Sequence, residues 1–208
     1  VKGSIGIGTT TTTNDSLQVF YEFISGTRTQ LDTLAELLQL ETSDERNFNV
    51  ISDYTAISDL GTATAGTINI NGNNHSIDLN SNNGIQLANQ TALNFNDVTV
   101  GGNTTLVSAT TSDATIGLNN VTLNGNISGA GNNVAISGNT KLNSVFTNTN
   151  TTFSNGTLSF NENTFADSNN TLNVTGGNIN LADGVTTNYV INSLTSSEDA
   201  SYSLDVIF

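Results

Sequence analysis

His75 is the only histidine in the 208-residue chain, and it stands in NGNNHSID close to Asp78. An imidazole near a carboxylate suits a general base or a metal ligand. Both chemistries lack their other parts here: there is no second His, no Cys and no nearby nucleophile constellation. His75 is therefore read as a corner or surface residue. Asp97, Asp113, Asp167 and Asp183 are isolated along the chain, so no carboxylate pair stands out for glycoside hydrolysis. Asp97 and Asn120 align across a repeat, and stacking would bring their oxygens together. Calcium bound at that corner is the one cofactor considered, although a hard cation wants several charged oxygens. The expectation is a protein that is not an enzyme, with no catalytic, cofactor-binding or metal residue.

The elements that would position these residues are set by a repeat. LNFNDVTVGGN (93–103) returns 23 residues later as IGLNNVTLNGN (116–126), so Leu93, Phe95, Val98 and Val100 match Ile116, Leu118, Val121 and Leu123. Apolar residues alternating with polar ones mark strands with one buried face. The phase slips between Phe95 and Val98, and again between Leu118 and Val121. Residues of odd separation cannot share a face of a straight strand. The chain must turn at Asn96-Asp97 and at Asn119-Asn120, where Asn and Asp tolerate a left-handed backbone. Strand, corner, strand and Gly-Asn exit, recurring every two dozen residues, describe a coil of a solenoid. The fold expected is all-β, a right-handed parallel β-helix of about six coils.

Composition bounds the function. The formal charge is −14, with only Lys2, Arg28, Arg46 and Lys141 as fixed cations. Nucleic acid is excluded as a partner because phosphate binding needs clustered Lys and Arg. No apolar run reaches membrane length and no secretory leader is visible, so a soluble processed product or a piece of a longer protein is expected, without membrane insertion. Of 34 Asn, 31 lie from Asn69 onward, and only six of the eighteen acids fall between Thr67 and Ser197. The body is thus nearly uncharged, with a surface of amides and hydroxyls. Polar Asn-rich tracts are often disordered, but Val, Ile, Leu and Phe keep near-regular spacing from Ile68 to Leu194. The Asn-x-Ser/Thr sequons follow from composition and are assigned no glycan.

In chain order, residues 1–47 read as a cap or assembly segment, 48–197 as the β-helix and 198–208 as a terminal strand. LQVFYEFI (17–24) favours strand. TQLDTLAELLQLE (29–41) favours helix, with Leu31, Leu34, Leu37, Leu38 and Leu40 as a stripe and Thr29 with Asp32 resembling a capping box. Such a helix would plug the open end of the solenoid. The phrase apolar-x-apolar-x-Gly-Asn recurs as INING-N (68–73), VTVGGN (98–103), VTLNGN (121–126) and VAISGN (134–139). Further strands are expected at 77–79, 85–87, 145–147, 158–160 and 179–181. About three strands per coil at ~4.8 Å spacing give a body about 27–30 Å long. Ladders are expected too, with Asn120 stacked on Asp97 and Asn143 on Asn120. In SYSLDVIF (201–208), Tyr202, Leu204, Val206 and Phe208 share one strand face.

GTININGNNHSIDL (66–79), GIQLANQTALNFNDVTV (84–100) and LNNVTLNGN (118–126) resemble the β-helical passenger regions of bacterial autotransporters and related large surface adhesins. The resemblance covers about residues 48–195 and rests on corner and core positions. It implies a stalk or binding shaft displayed outside the cell, on the bacterial surface, with a glycan or surface protein as ligand. Pectate-lyase-type enzymes share the architecture, and that likeness would imply acid clusters holding calcium and an Arg base; this body contains no Arg. A structural subunit that forms a homo-oligomer or head-to-tail polymer through its terminal strands is the second reading, and a polysaccharide-degrading enzyme the third.

Overall fold

The computed structural model describes residues 20–24, 27–31, 38, 45–56, 60–63, 66–80, 84–88, 90–102, 105–165, 167–182 and 191–194. The terminal strand expected at 198–208 lies outside them. Two strands precede the coils, β1 (Phe20–Ile24) and β2 (Thr27–Leu31). The first coil carries β3 (Glu45–Val50), β4 (Tyr54–Thr55) and β5 (Thr62–Ala63), and the second β6 (Gly66–Asn71), β7 (Ser76–Asp78) and β8 (Ile85–Leu87). β9 (Thr91–Gly101) and β10 (Thr105–Ala109) form the third, and β11 (Thr115–Leu123) opens the fourth. β12 (Asn126–Ser137) passes into the fifth, followed by β13 (Asn139–Leu142). β14 (Phe146–Phe153) enters the sixth with β15 (Thr157–Phe160); β16 (Thr171–Val174), β17 (Asn178–Leu181) and β18 (Ile191–Leu194) complete the order. The chain is nearly all β, a parallel β-solenoid of about six coils.

Every coil-to-coil pairing is parallel. The first face runs Glu45↔Thr67, Thr67↔Ala92, Ala92↔Thr115, Thr115↔Asn133, Asn133↔Asn150 and Asn150↔Thr171. A second face joins β4, β7, the ends of β9 and β11, β13, β15 and β17. A third joins β5, β8, β10 and the starts of β12 and β14. Parallel strands cannot close by a hairpin, so each rung must go round the core before meeting its neighbour. That circuit lines up like residues inside: Phe48, Ile70, Phe95, Leu118, Ile136, Phe153 and Val174 are successive register partners, all buried.

The corner between the first two faces has one repeated cause. Asn73 and Asn74 in the second coil, Asp97 in the third and Asn120 in the fourth have φ of 51°, 66°, 50° and 54°. Gly138, Gly156 and Gly177 take over in later coils at 64°, 88° and 91°. The expected corners at Asp97 and Asn120 are thus left-handed, and the phase slip places Phe95 and Val98, Leu118 and Val121 all inside. Backbone groups stay paired through the bend, as in Asn74 N–H to the Asp97 carbonyl at 2.7 Å.

Three expectations need correction. Thr29–Leu31, the proposed start of a helix, lie in β2, which pairs antiparallel with β1. β-branched Thr27 and Thr29 and the aromatic FYEFI sequence both favour strand, and backbone pairing between the two segments overrides the leucine stripe there. Leu38 is helical and buried against the core; 32–37 and 39–41 lie outside the described residues. Second, β1 also pairs antiparallel with β3, so a hairpin occupies the starting edge of the first face. Third, Asn143 does not stack on Asn120. The coil shortens from Ala92↔Thr115 to Thr115↔Asn133, and Asn143 Nδ2 donates to Asn124 Oδ1 at 2.6 Å instead.

The bore is also more polar in later coils than an aliphatic stack. Thr140, Ser144, Thr149, Thr151, Thr164 and Asn170 are buried. Asn170 Oδ1 accepts from the Thr149 N–H at 3.0 Å and hydroxyl at 3.2 Å, while its Nδ2 donates to the Phe146 carbonyl at 2.6 Å. Asn132, which pairs in register with Thr149, is equally buried, and neither of its amide atoms has a protein partner among the described residues. The two amides should respond oppositely to leucine. Asn170→Leu strands a buried N–H and carbonyl and is expected to cost about 3 kcal/mol, whereas Asn132→Leu relieves a desolvated amide and gains about 1 kcal/mol. Urea denaturation of both variants checks the sign; equal losses would show that Asn132 is satisfied.

Candidate binding face

The body's acids are used locally. Asp78 Oδ1 accepts from Asn80 N–H at 2.7 Å, Asp113 Oδ1 from the Thr111 hydroxyl at 2.5 Å and Asp167 Oδ1 from Asn169 N–H at 3.0 Å. These are side chains closing their own turns. Asp183 lies outside the described residues. Asp97 and Asn120 do meet, as an Asn120 Nδ2 to Asp97 Oδ1 bond of 3.0 Å, and Asn120 Oδ1 is taken up by Asn139 N–H at 2.8 Å. The corner so formed holds one carboxylate in a hydrogen-bonded rung. Among the described residues no group of three or more His, Cys, Asp or Glu could hold a metal ion.

His75 finds an acid other than its sequence neighbour. Its Nδ1 lies 3.5 Å from Asp53 Oδ1 of the coil below. Asp53 also accepts from the Ser76 N–H at 2.8 Å. Asp, His and Ser are therefore adjacent, but it is the Ser76 backbone N–H that meets the carboxylate, and no hydrogen bond joins the Ser76 hydroxyl to the imidazole among the described residues. A nucleophilic triad needs the imidazole between serine and carboxylate, so the order is wrong for that chemistry. The Ser76 N–H, then its hydroxyl, and more weakly His75 hold the Asp53 carboxyl below its ordinary range. Folding thus favours the ionised form: the contribution is complete above the unfolded carboxylate pKa and is lost as pH falls through the lowered folded value. Asp53→Asn is expected to melt below the parent at neutral pH, with the two converging in acid; a constant gap across pH would contradict this.

The most extensive regular surface is the outer side of the first face. Its outward positions form three columns. One runs Thr67, Ala92, Thr115, Asn133, Asn150, Thr171, a second Asn69, Asn94, Gly117, Ala135, Thr152, Asn173, and a third Asn71, Asn96, Asn119, Ser137. None is charged. Amides bond up the columns: Asn69 Nδ2 to Asn47 Oδ1 at 2.8 Å, Asn94 Nδ2 to Asn69 Oδ1 at 2.7 Å, Asn96 Nδ2 to Asn71 Oδ1 at 3.3 Å and Ser137 Oγ to Asn119 Oδ1 at 3.2 Å. Asn69 Nδ2 donates to Glu45 Oε1 as well, at 2.8 Å, so both its protons are used, while Asn94 and Asn96 each spend one N–H in these bonds. A further ladder, Asn124, Asn143 and Asn161, climbs the second face with bonds of 2.6 Å. No single residue of this face stands out in the sequence; its signal is the polar half of the strand alternation.

The fold and this face define a parallel β-solenoid with an uncharged amide and hydroxyl surface. The chain matches no protein-family model, no curated protein and no solved structure.

Proposed function

We propose that the protein is a non-catalytic, adhesin-like solenoid shaft working outside the cell, and that the outer side of its first face binds a neutral polysaccharide. The observation that carries this reading is the absence of charge from that face between Thr67 and Thr171 in a chain of net charge −14. Neutral sugars offer hydroxyls that pair with amides and hydroxyls in rows, while an anionic chain would meet a repulsive field. The polymerising reading has less support, because β1 lies antiparallel on β3 where a stacked copy would have to add its parallel rung. Retention of the purified protein on neutral glucan, chitin and xylan, compared with pectate, tests the proposal. Neutral polymers should retain it and pectate should not, and Asn69→Ala with Asn94→Ala should weaken retention. Preferential pectate binding, pectate depolymerisation, or binding unaffected by the double variant would overturn it.

A further inference from the structure

The outward columns of the first face differ in how far their side chains are already committed. In the third column Asn96 donates to Asn71 at 3.3 Å, Asn119 donates to Asn96 at 3.5 Å, and Ser137 donates to Asn119 at 3.2 Å. Asn96 and Asn119 are thus engaged through nitrogen and oxygen alike, which leaves each a single N–H. The first two columns are more open. Among the described residues the side chains of Thr67, Thr115, Asn133 and Thr152 make no hydrogen bond. Asn94 spends one N–H on Asn69, and its oxygen accepts nothing. None of the five is buried. They fall one to a rung, from the second coil to the sixth, in the register of β6, β9, β11, β12 and β14.

That distribution has a direction. Rungs lie about 4.8 Å apart, so the five groups span about 19 Å along the solenoid axis. Along a rung the supply stops at once. Beside Thr115 the next outward position is Gly117, and beside Asn133 it is Ala135, with only the committed third column beyond. A chain molecule lying on a rung would meet one open side chain, whereas one lying along the axis meets a fresh one at every rung. An extended β-1,4-linked pyranose chain advances by close to one rung spacing per sugar, and its hydroxyls both donate and accept. We infer that the first two columns form a track for a neutral β-1,4-linked polysaccharide running parallel to the solenoid axis, with one sugar over each rung. The inference rests on the polysaccharide reading above and adds the linkage, the orientation and the residues of contact. Coiled α-1,4-linked chains curve away from a straight track and gain little from its length.

The test is affinity against chain length, measured by calorimetry on the intact protein with graded cello- and xylo-oligosaccharides, and with malto-oligosaccharides for comparison. In the β-1,4-linked series affinity should climb with each added sugar and level off at about five, one for each open rung. The malto-oligosaccharides should stay weak at every length. Asn133→Ala and Thr115→Val should each weaken binding of the longest β-1,4-linked ligands about fivefold, the ordinary net worth of one hydrogen bond, and both should melt near the parent. Thr122→Val, on the second face, should bind as the parent does. A plateau at about three sugars or fewer, the width of a single rung, would overturn the track while leaving a protein that binds neutral polysaccharide. Equal affinity for malto-oligosaccharides, or parental binding by the Asn133 and Thr115 variants, would do the same. Failure of every neutral ligand to bind would remove the track and the reading beneath it together.

Discussion

Val121→Asp is expected to break the solenoid in its fourth coil. Val121 is fully buried, its N–H taken by the Thr140 hydroxyl at 3.3 Å, and it pairs in register with Val98 below. No cation is placed to meet a carboxylate there: the only Lys or Arg from residue 47 onward is Lys141, which is on an outward position beside Thr122. An unpaired buried charge belongs to the small class of substitutions that cost more than about 4 kcal/mol. A domain's whole stability is about 5–15 kcal/mol. Coils contact mainly their neighbours, so a failed rung divides the stack. Circular dichroism should show a large drop in the melting temperature or two separate transitions, while Thr122→Asp, one residue on and facing outward, should melt near the parent. A variant at Val121 that melts within a few degrees of the parent would remove that residue from the core.

Gly156→Ala should have the second largest effect, through backbone alone. Gly156 has φ +88°, and a Cβ there would lie 2.2 Å from the Gly138 oxygen, 2.4 Å from its carbon and 2.6 Å from its Cα. These are main-chain atoms of the neighbouring coil, so no side chain can rotate out of the way. The same Gly138 carbonyl accepts the Thr157 N–H at 3.0 Å, and pushing it aside breaks a rung bond. The left-handed conformation alone costs an alanine about 1–2 kcal/mol, and the collision brings the expected loss to about 3 kcal/mol or more. Gly131→Ala separates the two effects. Its φ is +82°, but the nearest atom to an added Cβ is 3.9 Å away, so only the conformational part should appear. Equal losses at the two glycines in urea denaturation would mean that coil packing at Gly156 is slack.

The corners were legible because they leave a trace in the apolar pattern: Phe95 and Val98 can both be inside only if the chain bends between them, and Asp97 supplies the bend at φ 50°. The strands at 77–79, 85–87, 158–160 and 179–181 were legible for the same reason, as each alternates buried or, at 179–181, half-buried apolar residues with polar ones. What was not legible is which rung a residue meets. The Gly-Asn phrase looked like a coil marker, yet it ends first-face strands at 68–72 and 134–138 and second-face strands at 98–102 and 121–125. Glycine and asparagine serve any strand that must turn, so they carry no face identity. Asn143 could have bonded to any asparagine below it, and only the shortened coil selects Asn124. The buried threonines of TNTNTTF (147–153) were missed because alternation of Thr with Asn shows no apolar side. The binding face was half visible: its polarity could be read, but its three columns depend on a register that the sequence does not state.

The hairpin at the start has a directional consequence. With β1 seated antiparallel on β3, the first rung of that face offers a free seam only on the side of β6. That edge of the first face is therefore closed to a further parallel rung, and only the opposite end of the stack can accept one. Removing the hairpin would bare the edge of β3 and leave the spool open to pairing at both ends.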